Sequence, residues 1–525
     1  MSVEPNSNSC VKQCHKITYR VKWLKNKGAI LIIIWSYLVT SVYHLLKSGH
    51  YKVSEVSSTG FILICTALLY PIGGWMADTH FGRYKVIHYS VWIMWTGAIL
   101  VTLNDLLASV IATYEIHSET VYKALCGILA IGLAGFQSNI IQLGVDQLTD
   151  ASATEITSFI SWYVLTLYAS GITVHYISDC IAEKYNMFCV RPLVVAVGLT
   201  CALCSDYLFQ NWLIKESVTG NPIRLICRVV KHAIRNRYLS YSEEELPSRF
   251  DVAKHRHGGP FTTQQVDNVR TFLWMLAIVS ICSIVYGALT PVEYAKEKVV
   301  RRGYEWSTVN SYGILDCYKN QVSGYNDYFF AIAFVFLYEF AIHPFFYKYL
   351  PRVSIMTTFL CGTVFFFLLI ISLLAIESIA YHNEIMLNHT AVCIFIDGPQ
   401  ASINHMWLFI PGFLSGLSSL LLLLSGFEFI WSQAPSTMKG MIFGLAYAFL
   451  GLYTLLHTAI SSPFVFKEHV VRVPWEHAHL TCGVWYFIME GVIILTILIV
   501  ISVLVKQYKK KKLDMSSLMT YTSVD

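Results

Sequence analysis

The sequence predicts an all-α polytopic membrane protein with twelve transmembrane helices arranged in two six-helix halves. Of the 525 residues, 55% are hydrophobic and only 14% are charged, which is unusual for a soluble protein of this length. Apolar stretches of about 20 residues recur along the whole chain, and each is long enough to cross a hydrocarbon core of about 30 Å. A transmembrane β-barrel would instead alternate polar and apolar residues.

The order of the elements divides the chain into five parts. Residues 1–28 form a polar, basic amino-terminal segment, and the first six-helix half follows at 29–214. A basic linker at 215–270 leads to the second half at 271–505, and the chain closes with a tail at 506–525. Six spans, a loop and six more spans is the pattern of two packed helical halves. Because the first segment has no apolar core followed by a small-residue cleavage site, we expect the first span to direct insertion.

The distribution of lysine and arginine predicts that both termini lie in the cytoplasm. Basic residues concentrate in the first segment, the linker and the tail, and the order of spans places all three on one side. One outer loop disagrees, since it carries Lys296, Lys298 and two arginines, but the rule counts all short loops together. The single glycosylation sequon, at Asn388, falls in an outer loop and agrees. The plasma membrane and the endolysosomal membrane are both compatible locations.

The linker contains an amphipathic basic segment, NPIRLICRVVKHAIRNR, in which apolar residues recur at helical spacing opposite arginine and lysine. Its expected place is the cytoplasmic surface, against the lipid headgroups. A solvated face explains these charges better than a nucleic-acid site does, so no nucleic-acid partner is predicted. Cytoplasmic protein partners of the linker stay open.

Catalytic and metal-binding patterns are missing from the sequence. There is no nucleophile elbow, no HExxH and no pair of carboxylates at catalytic spacing, so we do not predict an enzyme. Without a CxxC pair or a histidine cluster at metal spacing, neither a metal nor another cofactor is predicted. Cys180 and Cys189 fall near the outer face and are a local candidate for a disulfide.

Glu428 stands inside a long apolar run and is the first candidate for a functional group. An ionised carboxylate at membrane depth costs roughly 2.5–3.5 kcal/mol or more, so such residues usually face a bundle interior or a water-filled path. The alternative is a carboxylate near the helix end that reaches the headgroups or a neighbouring hydroxyl. Glu339 and His343 lie four residues apart and are candidates to share a proton, with a purely helix-stabilising pair as the equal alternative.

The segment PIGGWMADTHFGRYK resembles the short cytoplasmic loop of the major facilitator superfamily, with the spacing Gly74, Asp78, Gly82 and Arg83. Glycines permit a tight turn and a close approach of two helices. Asp78 can accept hydrogen bonds from helix-terminal amides or pair with a basic group. The resemblance therefore implies a conformational switch here rather than a substrate site.

Four further segments resemble the proton-dependent oligopeptide transporter family, also called the POT/PTR or solute carrier 15 family. They are GLAGFQSNIIQLGVDQL at 132–148, FISWYVLTLYASG at 159–171, the linker end at 247–270 and the helix exit GFEFIWSQAPSTMK at 426–439. The third resembles animal members grouped with peptide/histidine transporters. The resemblance implies the major facilitator fold and adds Asp146, at the end of the first segment, to the switch.

The sequence departs from this family at its charged positions. The resemblance implies a Glu-x-x-Glu-Arg cluster on the first span and a lysine on the fourth, but here these positions hold Trp35, Leu38, Val39 and Gln137. Replacing all partners of a buried ion network with neutral groups can be nearly neutral for folding. Coupling to protons is therefore an open question, with Glu428, Glu339 and His343 as the proton candidates.

The positions that the resemblance identifies on spans five, seven and ten hold uncharged residues, which predicts a neutral cavity. The fifth-span asparagine position is Tyr168, the span-seven polar position is Ala288, and the principal span-ten glutamate position is Ser419. We expect a neutral, hydrogen-bonding cavity lined by Tyr43, Gln137, Tyr168 and Ser419, with Glu428 as its titratable residue.

Two functions remain in competition. The first is a secondary transporter of small peptides or related nitrogenous solutes, working by alternating access. Its expected partners are a peptide or amino-acid-like substrate and the lipid bilayer, and protons stay an open alternative. The second is a non-transporting sensor or scaffold that has kept the transporter fold.

Overall fold

The computed structural model describes most, but not all, of the chain. The described residues are 21–47, 55–111, 115–174, 189–215, 218, 220–236, 249–304, 326–342, 355–386, 407, 409–465 and 482–521. The predicted proton candidate His343, the predicted glycosylation site Asn388 and Cys180 of the predicted disulfide lie outside these residues.

The described chain is built from helices. In order they are α1 (Lys27–Lys47), α2 (Glu55–Met76), α3 (Arg83–Val110), α4 (Glu115–Asp146), α5 (Ala153–Ile172), α6 (Val190–Phe209), α7 (Pro222–Arg235), α8 (Thr263–Tyr304), α9 (Asn326–Leu337), α10 (Ile355–Met386), α11 (Phe409–Gln433), α12 (Lys439–Val465) and α13 (Cys482–Tyr521). Within the described residues, nine helices are long and apolar enough to cross a membrane.

Local sequence explains where several helices begin and end. Ser152 and Glu155 form a capping box at the start of α5, in which each side chain satisfies a backbone N–H of the other residue. Helix α2 runs into a π-helical turn, Ala77–Phe81, and Gly82 then adopts a positive φ of 79° before α3 begins. Helix α11 ends two residues before Pro435, whose ring cannot continue a helix.

The helices form two sets that pack against each other. Helices α1–α6 are called the amino-terminal set and α8–α13 the carboxy-terminal set; their equivalence to two six-helix halves stays a prediction. Between the sets, α2 packs along α12, and α5 packs on α9 and α11. We call the end of the bundle with the α2–α3 turn the inner end, because the predicted orientation places it in the cytoplasm, and the opposite end the outer end.

Lys296, which disagreed with the predicted orientation, is a buried residue of helix α8. Its ammonium nitrogen lies 3.1 Å from the carboxylate of Asp327 at the start of α9, and these side chains are 4% and 9% exposed. Lys296 is therefore one half of a buried ion pair and not a loop charge. The side chain of Lys298 is outside the described residues.

Candidate functional site

The α2–α3 turn reaches across to the carboxy-terminal set at the inner end. Asp78, which is almost fully buried, accepts a hydrogen bond of 2.9 Å from the backbone N–H of Met441 in the first turn of α12. Arg83 lies 3.9 Å from Asp78 and also pairs with Asp146 at the end of α4. The negative carboxylate thus sits at the positive end of the α12 dipole and ties the two sets together.

The ionisation of Asp78 is shifted by its surroundings. Burial raises the pKa of its carboxyl to about 6, while Arg83 and the amides of Met441 and Gly440 act in the opposite direction. A group in this turn, outside helices α2 and α3, therefore titrates only slightly below neutral pH.

Glycines bring the backbones of α2 and α12 into direct contact beside this turn. A Cβ atom on Gly74 would overlap the backbone carbonyl of Gly440, and one on Gly444 would overlap the carbonyl of Tyr70. Only glycine, which has no Cβ, allows this approach. Gly74 is thus needed for the inner closure of the two sets, while Gly82 supplies the positive φ that starts α3.

Glu428 also connects the two sets, but its partner is not one of the residues predicted to line the cavity. Its carboxylate accepts a hydrogen bond of 2.9 Å from the hydroxyl of Thr157 in the second turn of α5. Thr157 and Tyr168 lie eleven residues apart on α5, which corresponds to about 16 Å along the helix axis. Glu428 therefore belongs to the inner end of the interface and not to the region around Tyr168.

The hydroxyl of Ser158, the residue after Thr157, also binds a carboxylate of the carboxy-terminal set. Ser158 donates a hydrogen bond of 3.0 Å to the carboxylate of Glu339, which is 4% exposed, and accepts one of 3.2 Å from the indole N–H of Trp23. Adjacent residues of one helix thus bind carboxylates from α11 and from the segment after α9. We call the four residues Thr157, Ser158, Glu339 and Glu428 the inner latch.

A cluster of tyrosines occupies the interface between the sets above the inner latch. Tyr70 donates a hydrogen bond of 2.7 Å to the side-chain oxygen of Gln137, and its ring stacks on that of Tyr447 at 4.8 Å between centroids. The rings of Tyr163 and Tyr447 both meet that of Phe427, with 5.7 and 6.2 Å between centroids. Tyr43 lies near Tyr70 and Tyr447.

The cluster continues toward the outer end through Tyr168. Its hydroxyl donates a hydrogen bond of 2.9 Å to Ser419 of α11, and its ring meets that of Tyr328 edge-on at 5.7 Å. Tyr286 of α8 lies near both Tyr168 and Tyr447. We call the six residues Tyr43, Tyr70, Tyr163, Tyr168, Tyr286 and Tyr447 the tyrosine cluster.

Uncharged, packed side chains occupy the first-span positions at which the resemblance implies charged residues. The indole N–H of Trp35 donates a hydrogen bond of 2.8 Å to Ser205 of α6, so this residue points toward another helix of its own set. Val39 is fully buried, and Leu38 packs on the hydrophobic core. Ala288 on α8 is also fully buried.

Other titratable residues within the helices lie inside a single set. Glu490 of α13, which is fully buried, lies 3.5 Å from His457 of α12. His88 of α3 lies 2.6 Å from Asp206 of α6. Neither pair bridges the two sets, unlike the carboxylates of the inner latch.

The structure places the predicted residues in two groups and adds others to them. Tyr43, Gln137, Tyr168 and Ser419 belong to the tyrosine cluster or contact it, whereas Glu428 and Glu339 form the inner latch. Sequence reasoning missed Thr157 and Ser158, and also Tyr70, Tyr163, Tyr286 and Tyr447. No local signal distinguishes these residues from ordinary core aromatics and helix hydroxyls.

The sequence matches a known family over part of its length. Residues 84–291 match the profile of the POT family. Among curated proteins, the putative protein NRT1/PTR FAMILY 2.2 of Arabidopsis thaliana is 29% identical over 41% of this chain and 43% of its own length. Solute carrier family 15 member 5 of Homo sapiens is 20% identical over 44% of this chain and 42% of its own length. The matched region thus spans less than half the length of these relatives.

Solved structures resemble the whole fold. The crystal structure of the POT family transporter PepTSo superposes with a TM-score of 0.62 at 13% identity, covering 92% of this chain and 99% of that one. An auto-inhibited POT family peptide transporter superposes with a TM-score of 0.61 at 14% identity, covering 92% and 97%. At such low identity the likeness concerns the fold, which is the major facilitator type. The chain is therefore similar to the POT family in the sequence of residues 84–291 and in its fold, and the members of that family are transporters and not enzymes.

Proposed function

We propose that this protein is a secondary transporter of small peptides or related nitrogenous solutes that works by alternating access. The observation that carries the proposal is that α5 contacts the carboxy-terminal set at two levels. Thr157 and Ser158 bind carboxylates at the inner end, and Tyr168 binds Ser419 further out. Separate contacts at two depths are what a pair of rocking helix sets needs, because each end can then open while the other stays closed.

Hydrogen bonds that water can replace contribute to the inner closure, beside the packing of α2 on α12. Each carboxylate of the inner latch accepts from a hydroxyl across the interface, and Asp78 accepts from the start of α12. Hydrogen bonds to charged groups contribute about 1.5–3 kcal/mol each. A conformational change that hydrates these carboxylates replaces each hydrogen bond with one to water, at modest cost in free energy.

The tyrosine cluster indicates the chemistry of the substrate. Its hydroxyls, with Gln137 and Ser419, offer donors and acceptors without a formal charge. Peptide amides match such groups, and aromatic rings pack on apolar side chains. A free carboxylate or ammonium finds no opposite charge among these residues, so we expect weak selection for free termini.

Uptake into vesicles tests the proposal directly. The purified chain is reconstituted, and the entry of labelled dipeptides and of labelled histidine is measured with and without an imposed pH gradient. We expect saturable uptake of at least one of them above that of vesicles lacking the protein. No uptake of either by protein whose inner end demonstrably opens would contradict it.

A second function, a non-transporting sensor or scaffold, is favoured by one observation. Trp35 and Val39 occupy the family's charged first-span positions as fixed packing residues, so the usual ion-pair switch has no counterpart there. A sensor would change conformation on binding a peptide without moving it across the membrane. Peptide-induced changes in the spacing of the inner ends, together with a lack of uptake, would support this alternative.

A further inference from the structure

Helix α7 displays two exposed stripes beside its packed face. The packed face contains Pro222, Val229 and Ala233, which are buried. Next to it, Ile223, Cys227 and Ile234 are exposed, with the two isoleucines 42% and 61% accessible. At 3.6 residues per turn these three fall within about 40° of one another around the helix axis. The protein therefore leaves a narrow apolar stripe uncovered along the full length of α7.

A basic stripe lies directly beside the apolar one. Arg224, Arg228, Lys231 and Arg235 are all exposed and fall within the next arc of about 60°. Helix α7 contains no acidic residue. Four cations on one arc, bordering an apolar arc, distinguish this helix from one with an evenly solvated polar face.

The chain just before α7 carries residues typical of the membrane surface. Helix α7 follows the turn at Trp212, a partly exposed indole that stacks on Phe209 and lies 5.1 Å from the ammonium of Lys27. Tryptophan and lysine at the end of an apolar helix are typical of the boundary between hydrocarbon and headgroups. The packed face of α7 contacts the helical turn Arg249–Ala253 and helix α8. The helix is thus fastened to the carboxy-terminal set at the inner end.

We propose that α7 binds anionic phospholipids of the leaflet at the inner end of the bundle. The apolar stripe contacts the upper part of the acyl chains, and the basic stripe contacts the headgroup phosphates. Interfacial helices combine these two contributions, and their binding depends on lipid composition. Each arginine or lysine close to an anionic surface strengthens the association by roughly fivefold. A soluble acidic partner would use the cations alone and would leave the apolar stripe in water.

Lipid titration of the full-length chain tests this proposal. The detergent-purified protein is titrated with phosphatidylserine or with phosphatidylcholine of the same acyl chains, and bound lipids are counted by native mass spectrometry. The variant R224Q/R228Q/K231Q/R235Q is expected to bind phosphatidylserine at least fivefold more weakly and phosphatidylcholine unchanged. The matched control R224K/R228K/K231R/R235K keeps every charge and is expected to retain the binding of the unmodified chain.

A second variant isolates the apolar stripe. I223S/I234S keeps the basic stripe and is expected to weaken phosphatidylserine binding severalfold. Inorganic phosphate, which has a phosphate but no acyl chain, is expected not to displace phosphatidylserine at equal concentration. An unchanged lipid preference in the four-glutamine variant would overturn the proposal. Displacement by inorganic phosphate would overturn it as well, since it would indicate a site for the phosphate group alone. Thermal unfolding of each variant confirms that it is folded.

Discussion

The inner end of the interface between the two helix sets holds carboxylates, whereas the region above it is occupied by tyrosines. Glu339, Glu428 and Asp78 each accept a hydrogen bond from the opposite set. In the tyrosine cluster the contacts between the sets are the hydrogen bond from Tyr168 to Ser419 and the stacking of Tyr70 on Tyr447. Both regions join the same helices, so the difference in their chemical groups depends on depth in the bundle and not on which helices meet.

This difference indicates where in the bundle an ionised side chain is tolerated. A carboxylate at the inner end lies near water when the closure opens, so its desolvation is reversible. A charge in the middle of the bundle needs a permanent partner, since an unpaired buried ion costs several kcal/mol. Gln137 and Ser419 are neutral, and among the described residues the carboxylates that accept hydrogen bonds across the interface lie in the inner closure.

The largest expected effect comes from preventing the close approach of α2 and α12. Gly74→Ala places a Cβ against the backbone of Gly440. Overpacking typically costs about 1–3 kcal/mol, and a backbone overlap is at the upper end, so the ratio of closed to open molecules should fall by about a hundredfold. Spin labels at K85C and R270C, two exposed inner-end positions on opposite sets, measure that population by their distance.

The matched control for this prediction is Gly127→Ala. A Cβ at Gly127 meets no atom within 4 Å, so its distance distribution should equal that of the unmodified chain. If Gly74→Ala behaves like this control, the glycine contact does not determine the inner closure.

Thr157→Val tests whether the inner latch contributes free energy to closure. The valine has the same shape but cannot donate to Glu428, and loss of a charged hydrogen bond of about 1.5–3 kcal/mol should lower the ratio of closed to open molecules about tenfold or more. Glu428→Gln should have a smaller effect, because the amide oxygen still accepts from Thr157. The same spin labels provide the measurement.

Thr102→Val is the control for the latch variant. Thr102 donates only to the backbone of its own helix in the described structure, and its replacement should leave the closed population unchanged. Equal distance distributions for Thr157→Val and Thr102→Val would remove the inner latch from the mechanism and weaken the contrast between the two regions.

Acid should favour the inner closure through Asp78. The pKa of this carboxyl is raised to about 6 in the docked state, against 3.8 for an ordinary aspartate. The docked state therefore binds the proton more tightly, and its added stability is present at low pH and is lost as the pH rises through 6. Lowering the pH from 7 to 5 should raise the ratio of closed to open molecules by about tenfold.

Asp78→Asn removes the titrating group and should abolish most of this pH dependence. The distance distribution of the labelled chain, recorded from pH 7 to pH 5, provides the measurement. A shift toward the open state in acid would reverse the predicted sign and would mean that another group dominates.

The smallest effect is expected in the tyrosine cluster. Tyr168→Phe removes one neutral hydrogen bond to Ser419, which should lower the free energy of unfolding by about 0.5–1.5 kcal/mol. Tyr207→Phe is the control, since Tyr207 is 79% exposed. Chemical unfolding in detergent measures both, and a loss above 3 kcal/mol would show that the neutral region matters as much as the charged one.

Much of the fold could be predicted from the sequence, because apolar length and helix-ending residues are local signals. The exit of α11 before Pro435 and the turn at Gly82 are examples. The partner of Asp78 was predictable as a helix-terminal amide in general, but not as Met441, since that contact spans 363 residues. The pairing of Glu428 with Thr157, over 271 residues, depends on how two distant helices meet. Tyr70 and Tyr447 carry no local mark that separates them from packing aromatics.

The buried pair of Lys296 and Asp327 has a consequence for the synthesis of the chain. The lysine belongs to α8, and the ribosome makes it before the aspartate of α9 exists. Until then, the outer part of α8 carries a cation that hydrocarbon disfavours. We expect α8 to remain at the protein-conducting channel until α9 emerges, so that the two helices enter the bilayer together as a hairpin.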